Sequence, residues 1–85
     1  MTRNEIEREL QARWQGLIAT PEPQSPGLVR VRMRTRDEKL EVLAVVHDDG
    51  TAAVAVAFVG GVCSSGRCRN LTDALFGFDQ EGPCG

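Results

Sequence analysis

The sequence predicts an α+β fold: an N-terminal helix packed on a three-stranded antiparallel β-meander, followed by a Cys/Gly loop and a short C-terminal helix. Three observations carry this prediction. Apolar residues recur at helical spacing as far as Ile18, the period drops to two from Leu28 onward, and Asp49-Gly50 punctuates two apolar runs as a hairpin turn does.

The helix is expected over residues 4–18, with Ile6, Leu10, Trp14, Leu17 and Ile18 on one face and Glu5, Glu7, Arg8, Glu9 and Arg13 largely on the other. Either Thr2 with Glu5 or Asn4 with Glu7 offers a cap and its reciprocal partner, while Gly16 blurs the far end. Pro21, Pro23, Pro26 and Gly27 make residues 20–27 a stiff linker, because proline lacks the N–H that a helix or central strand needs.

The meander is expected over residues 28–59. In its first strand Val29, Val31, Met33 and Thr35 face one way and Arg30, Arg32, Arg34 and Arg36 the other. A turn at Asp37-Glu38 that pairs Arg36 with Lys39 sets Met33 opposite Val42, Val31 opposite Ala44 and Arg34 opposite Glu41, satisfying both faces at once. Treating Asp49-Gly50 as a two-residue turn then puts Ala53, Ala55 and Ala57 beside Val46, Ala44 and Val42. That small-residue face suits the N-terminal helix. The opposite face is expected to carry Leu43, Val45, Val54, Val56 and Phe58, an apolar area larger than monomers leave in water. Its cover could come from the helix expected over residues 70–77, where Asn70 is the cap and Leu71, Ala74, Leu75 and Phe78 share a face, or from a second copy of the chain. Residues 60–69 form the Cys/Gly loop and residues 78–85 a loose tail.

The chain has 85 residues, 41% hydrophobic and 26% charged, which indicates one globular domain spanning residues 1–85 with a modest core. A net charge of -2 argues against broad affinity for nucleic acid or anionic membranes. Charged residues near the start, the lack of a long apolar stretch and an odd count of three cysteines lead to the expectation of a cytoplasmic protein.

Three features bear on chemistry. Cys63-Ser64-Ser65-Gly66-Arg67-Cys68-Arg69 resembles the C-x-x-G-x-x-R loop of cysteine-dependent phosphatases, in which backbone amides and an arginine fork cradle a phosphate beside a thiolate. The resemblance implies Cys63 as nucleophile and Arg69 as phosphate clamp. Cys63, Cys68 and Cys84 with His47 would make a three-thiolate, one-imidazole zinc complement; a Cys63–Cys68 disulfide and three unlinked thiols are the other arrangements open to the cysteines. Arg30, Arg32, Arg34 and Arg36 form a basic stripe with residues about 6.6 Å apart, suited to a phosphate backbone, to an acidic protein surface or to guarding a sheet edge. No Ser/His/Asp set or paired-carboxylate site can be assembled, and one histidine with no tyrosine leaves little for acid–base work.

The expected function is therefore a small non-enzymatic protein-binding module without a cofactor. Its binding residues would be the arginine stripe with Leu43, Val45, Val54, Val56 and Phe58, and its partner a larger protein, a nucleic-acid-handling complex or its own copy. Size and acidity match those common among phage and mobile-element inhibitors, an analogy of composition alone.

Overall fold

The computed structural model describes residues 1–78. Helix α1 (Arg3–Arg13) is followed by strands β1 (Leu17–Thr20), β2 (Leu28–Thr35), β3 (Leu40–His47), β4 (Ala52–Phe58) and β5 (Gly61–Ser64), then by helix α2 (Leu71–Phe76). The five strands form one antiparallel sheet in the order β1-β2-β3-β4-β5. The α+β class, the two helices and the central meander match the sequence-based expectation, but the sheet gains a strand at each edge. The expected tail falls, apart from Phe78, on residues outside the described range.

Helix α1 starts at Thr2, whose hydroxyl accepts from the Glu5 amide while the Glu5 carboxylate accepts from the Thr2 amide, a reciprocal capping box. Hydrogen bonding of the Glu5 carboxylate to the Thr2 backbone amide, and then to the Thr2 side chain, holds the Glu5 carboxyl below its ordinary pKa. The helix stops earlier than expected because Trp14 is already extended and Gly16 takes a left-handed φ of 83°. That frees Leu17 and Ile18 from the helix to open β1, where Leu17 pairs with Thr35 and Ile18 with Arg34.

The proline-rich segment then runs along the outer edge of β2. The Gln24 side chain accepts from the Arg30 amide at 3.1 Å and donates to the Arg30 carbonyl at 2.8 Å, so a side-chain amide completes the strand edge where prolines could not. The β2–β3 register is as the sequence indicated, with Met33 opposite Val42, Val31 opposite Ala44 and Arg34 opposite Glu41.

The β3–β4 register is not. His47 N–H donates to the Thr51 carbonyl at 2.8 Å and Gly50 N–H to the His47 carbonyl at 2.9 Å, closing a three-residue loop of Asp48, Asp49 and Gly50. Gly50 occupies the left-handed position at φ 90°, as a type I turn followed by a bulge requires. One extra loop residue turns every β4 side chain to the other face. Val46, Ala44 and Val42 therefore meet Ala52, Val54 and Val56, whereas Ala53, Ala55 and Ala57 lie across from Val45, Leu43 and Glu41.

The Asp49 carboxylate fastens this loop, accepting from the Thr51 hydroxyl at 2.6 Å and the Thr51 amide at 2.9 Å, with Arg67 Nη2 at 3.3 Å. These Thr51 hydrogen bonds, and then the Arg67 charge, hold the Asp49 carboxyl below its ordinary pKa. A depressed folded-state pKa contributes stability that is present above the unfolded-state value and lost as pH falls through the folded one. Asp49→Ala should thus lower the thermal midpoint at neutral pH, and the gap to the wild type should close as pH falls below the ordinary carboxylate range. A gap that stays constant with pH, followed by circular dichroism, would remove the charge from this account.

Both helices pack on the same face. Ile6 and Leu10 of α1, Leu17, Val31, Met33, Val42, Ala44, Val46, Ala52, Val54 and Val56 of the sheet, and Leu71, Ala74 and Leu75 of α2 form one buried cluster. Asn70 caps α2 by accepting from the Asp73 amide at 2.8 Å. Trp14 and Phe78 meet edge-to-face, with ring centroids 5.9 Å apart, and tie the ends of the two helices together above the sheet. The expectation that α2 could cover the face opposite α1 is thereby corrected, because the apolar stripe of α2 needs the valines that the three-residue loop has turned toward α1.

Candidate binding face of the sheet

With both helices on one side, the other side of the sheet is left without a covering element among the described residues. Its cross-strand rows follow from the register. One row reads Arg30, Val45, Ala53; the next Thr20, Arg32, Leu43, Ala55, Ser64; the third Ile18, Arg34, Glu41, Ala57, Val62. The face is consequently divided: charged along β2, and mostly apolar across β3 to β5. Alanines on β4 keep the centre low while Leu43 and Val45 stand beside them as a ridge. A shallow groove of about 150 Å³ lies there, lined by Arg32, Glu41, Leu43, Ala55, Ala57 and Val62. A wider one of about 330 Å³ lies at the corner where Ile18 and Pro21 meet Arg34 and Arg36.

The arginine stripe is present in the expected geometry, but most of its charge is answered. Glu22, from between two prolines, reaches Arg32 Nε at 2.9 Å and Arg30 Nη1 at 3.7 Å, and its side chain is only 8% exposed. Arg32 Nη1 also meets Glu41 at 2.8 Å, and Arg34 meets Glu38 at 3.1 Å. Hydrogen bonds to Glu41 and then Glu22 raise the Arg32 pKa above the ordinary guanidinium value. Arg36 is exposed and has no ion pair among the described residues. Arg30, Arg32 and Arg34 with Glu22, Glu38 and Glu41 amount to a surface of mixed charge and little net sign.

Of the apolar residues expected on this face, Leu43 and Val45 are on it. Val54 and Val56 are fully buried on the helix-covered side, and Phe58 packs against that same core. Their expected place is taken by Ala53, Ala55 and Ala57, with Ile18 and Val62 added by the edge strands that sequence reasoning missed. Ile18 is 49% and Val62 71% exposed. The signal for the alanines was in the sequence as a strict alternation with valine; only the loop length decided which set faced out.

The cysteine-centred features are placed as follows. Cys63 is on β5, 8% exposed, opposite Val56, and is disulfide-bonded, while Cys68 is a free thiol. A Cys63–Cys68 bridge and a set of three unlinked thiols are therefore both corrected: Cys63 belongs to the strand ladder, while Cys68 pairs with Ala52 in an isolated bridge. In the Cys63–Arg69 loop the Ser65 amide donates to the Val54 carbonyl, the Gly66 amide to the Ser64 hydroxyl and the Cys68 amide to the Ala52 carbonyl. Two of these donors extend the sheet and the third closes a local turn, so the three are spent on separate acceptors. Arg69 pairs with Asp73 at 2.9 Å, on a side chain 84% exposed, and Arg67 reaches back to Thr51 and Asp49. The loop thus works as a clamp between the β3–β4 hairpin and α2.

His47 lies at the end of β3, half-buried. Among the described residues no three His, Cys, Asp or Glu side chains come together as a metal site, and Cys84 of the expected zinc set lies outside those residues. No described helix is long and apolar enough to cross a membrane. Comparison of the chain with family models, with curated proteins and with solved structures finds no match to any of the three.

Proposed function

We propose that this chain is a non-enzymatic protein-binding module, of adaptor or inhibitor type, whose interface is the helix-free face of the sheet. The observation that carries this reading is the one-sided placement of the two helices, which leaves the apolar rows of β3 to β5 facing outward. Singly exposed apolar residues need no explanation, whereas a contiguous strip rimmed by charge is the usual anatomy of an interface. The charge pattern favours a protein over a nucleic acid. Phosphates need uncompensated cations, and Arg30, Arg32 and Arg34 already have carboxylate partners.

The test is affinity capture with tagged chains carrying Ala55→Arg, at the centre of the face, or Val59→Arg, in the exposed β4–β5 turn. Proteins retained by the wild type and by Val59→Arg, untagged copies of the chain among them, should be lost from Ala55→Arg. Retention that ignores Ala55→Arg overturns the face as the binding surface.

A further inference from the structure

We infer that the occupant of the helix-free face is a second copy of this chain, stacked sheet on sheet about a two-fold axis; the inference rests on the reading of that face as an interface. The first support is shape. On β3 the side chains of Leu43 and Val45 stand beside a trough formed by Ala53 and Ala55 on β4. A two-fold axis running along the strands between β3 and β4 lays β3 of each copy over β4 of the other. The ridge of each copy then enters the trough of its partner, twice per dimer, which is the self-complementarity that a closed two-fold interface requires. The twist of the two sheets sets the strands about 30° apart, as in other aligned sheet packings.

The second support is charge. The same axis brings β5, with Val62 and Ser64, over the β2 row of the partner, so the arginines fall at the rim of the contact and the aliphatic residues at its centre. Stacking two unneutralised arginine rows near one another would be repulsive. Glu22, Glu41 and Glu38 remove that obstacle within each copy. A partner of strongly acidic character, by contrast, would have to displace these carboxylates before gaining anything from the arginines.

Area sets the strength of the contact. The four strands that overlap about this axis, of eight, eight, seven and four residues, present about 400 Å² of flat face per copy at usual strand spacing, so about 800 Å² for the pair, the size of a weak, reversible association. The dimer is accordingly one of modest affinity, present at micromolar concentrations and above.

Sedimentation equilibrium on the purified full chain, from about 5 µM to about 500 µM, tests this. The wild type and Val59→Arg should move from monomer to dimer mass across the range. Ala55→Arg, which sets an unpaired charge in the trough of each copy against the Leu43 and Val45 ridge of its partner, should weaken association at least about a hundredfold. Far-UV circular dichroism establishes that the variant is folded, and Leu43→Gln provides a second, uncharged probe with a smaller shift of the same sign. A wild type that stays monomeric at the highest concentration overturns the second copy as occupant; the capture experiment then decides separately whether the face serves a different protein. A dimer unaffected by either variant also overturns it, since the contact would lie elsewhere on the molecule.

Discussion

Val56→Arg should prevent the chain from folding, while Ala57→Arg, one residue further along the same strand, should leave its stability nearly unchanged. Val56 has no exposed surface and lies between Val42 and Cys63 in the layer beneath the helices. A guanidinium there has neither water nor a carboxylate, and an unpaired buried charge costs several kcal/mol, on the order of 5 or more, comparable to the whole stability of a domain this small. Ala57 sits on the other face, paired with Glu41 on one side and Val62 on the other. An arginine at that position gains a carboxylate neighbour and stays in solvent, so its effect should fall within about 0.5 kcal/mol. Urea unfolding at a few micromolar protein, followed through Trp14, measures both. The reverse outcome would mean that the β3–β4 hairpin is closed by a two-residue turn.

That pair of residues also marks where sequence reasoning stopped being sufficient. The alternation of valine and alanine along β4 is plain in the chain, and so is the turn at Asp49-Gly50. Alternation says only that two faces differ; it does not say which meets which across the turn. The β2–β3 pairing was legible because arginine and glutamate on one face and aliphatics on the other allow a single register. Between β3 and β4 both faces are apolar, so the alanine and valine sets can be exchanged without burying a charge. The decision passes to the Asp48, Asp49 and Gly50 loop, whose middle residue, Asp49, accepts Thr51 hydrogen bonds that composition does not announce.

The edge strands were hidden for a related reason. Leu17 and Ile18 continue the helical spacing of Ile6, Leu10 and Trp14, and only the left-handed backbone at Gly16 shows that the period has changed. β5 holds four residues, one of them glycine, and too few side chains to display a period. In the candidate site, the arginine stripe and Leu43 with Val45 were legible from strand parity. The neutralisation of that stripe was not, because Glu22 reaches it from a proline-flanked segment ten residues upstream of Arg32. Ion pairs of that kind depend on how a linker is folded back, and this linker is fixed by the Gln24 side chain pairing with the Arg30 backbone.

Leu10→Ala should have the second largest effect, a loss of about 3 kcal/mol. Helix α1 has 11 residues, a length at which an isolated helix is marginal in water, so its presence depends on docking. Its docking surface is narrow. Ile6 and Leu10 are its two buried residues, both without exposed area, and they rest on β2 and β1. Removing three carbons from Leu10 forfeits the transfer free energy of that side chain and leaves a cavity beside Met33, Val31 and Leu17, members of the same buried cluster. Glu9→Ala, on the exposed side of the same turn, preserves helix propensity and should cost less than about 0.5 kcal/mol. The two variants together separate packing from intrinsic helix formation. Hydrogen exchange adds a local readout, since amides of α1 should lose protection in Leu10→Ala before those of β3 do, the weakened helix opening ahead of the sheet. Equal losses of protection in α1 and β3 would show that helix and sheet unfold as one unit, and a cost below about 1 kcal/mol would show that Leu10 is not the anchor its burial indicates.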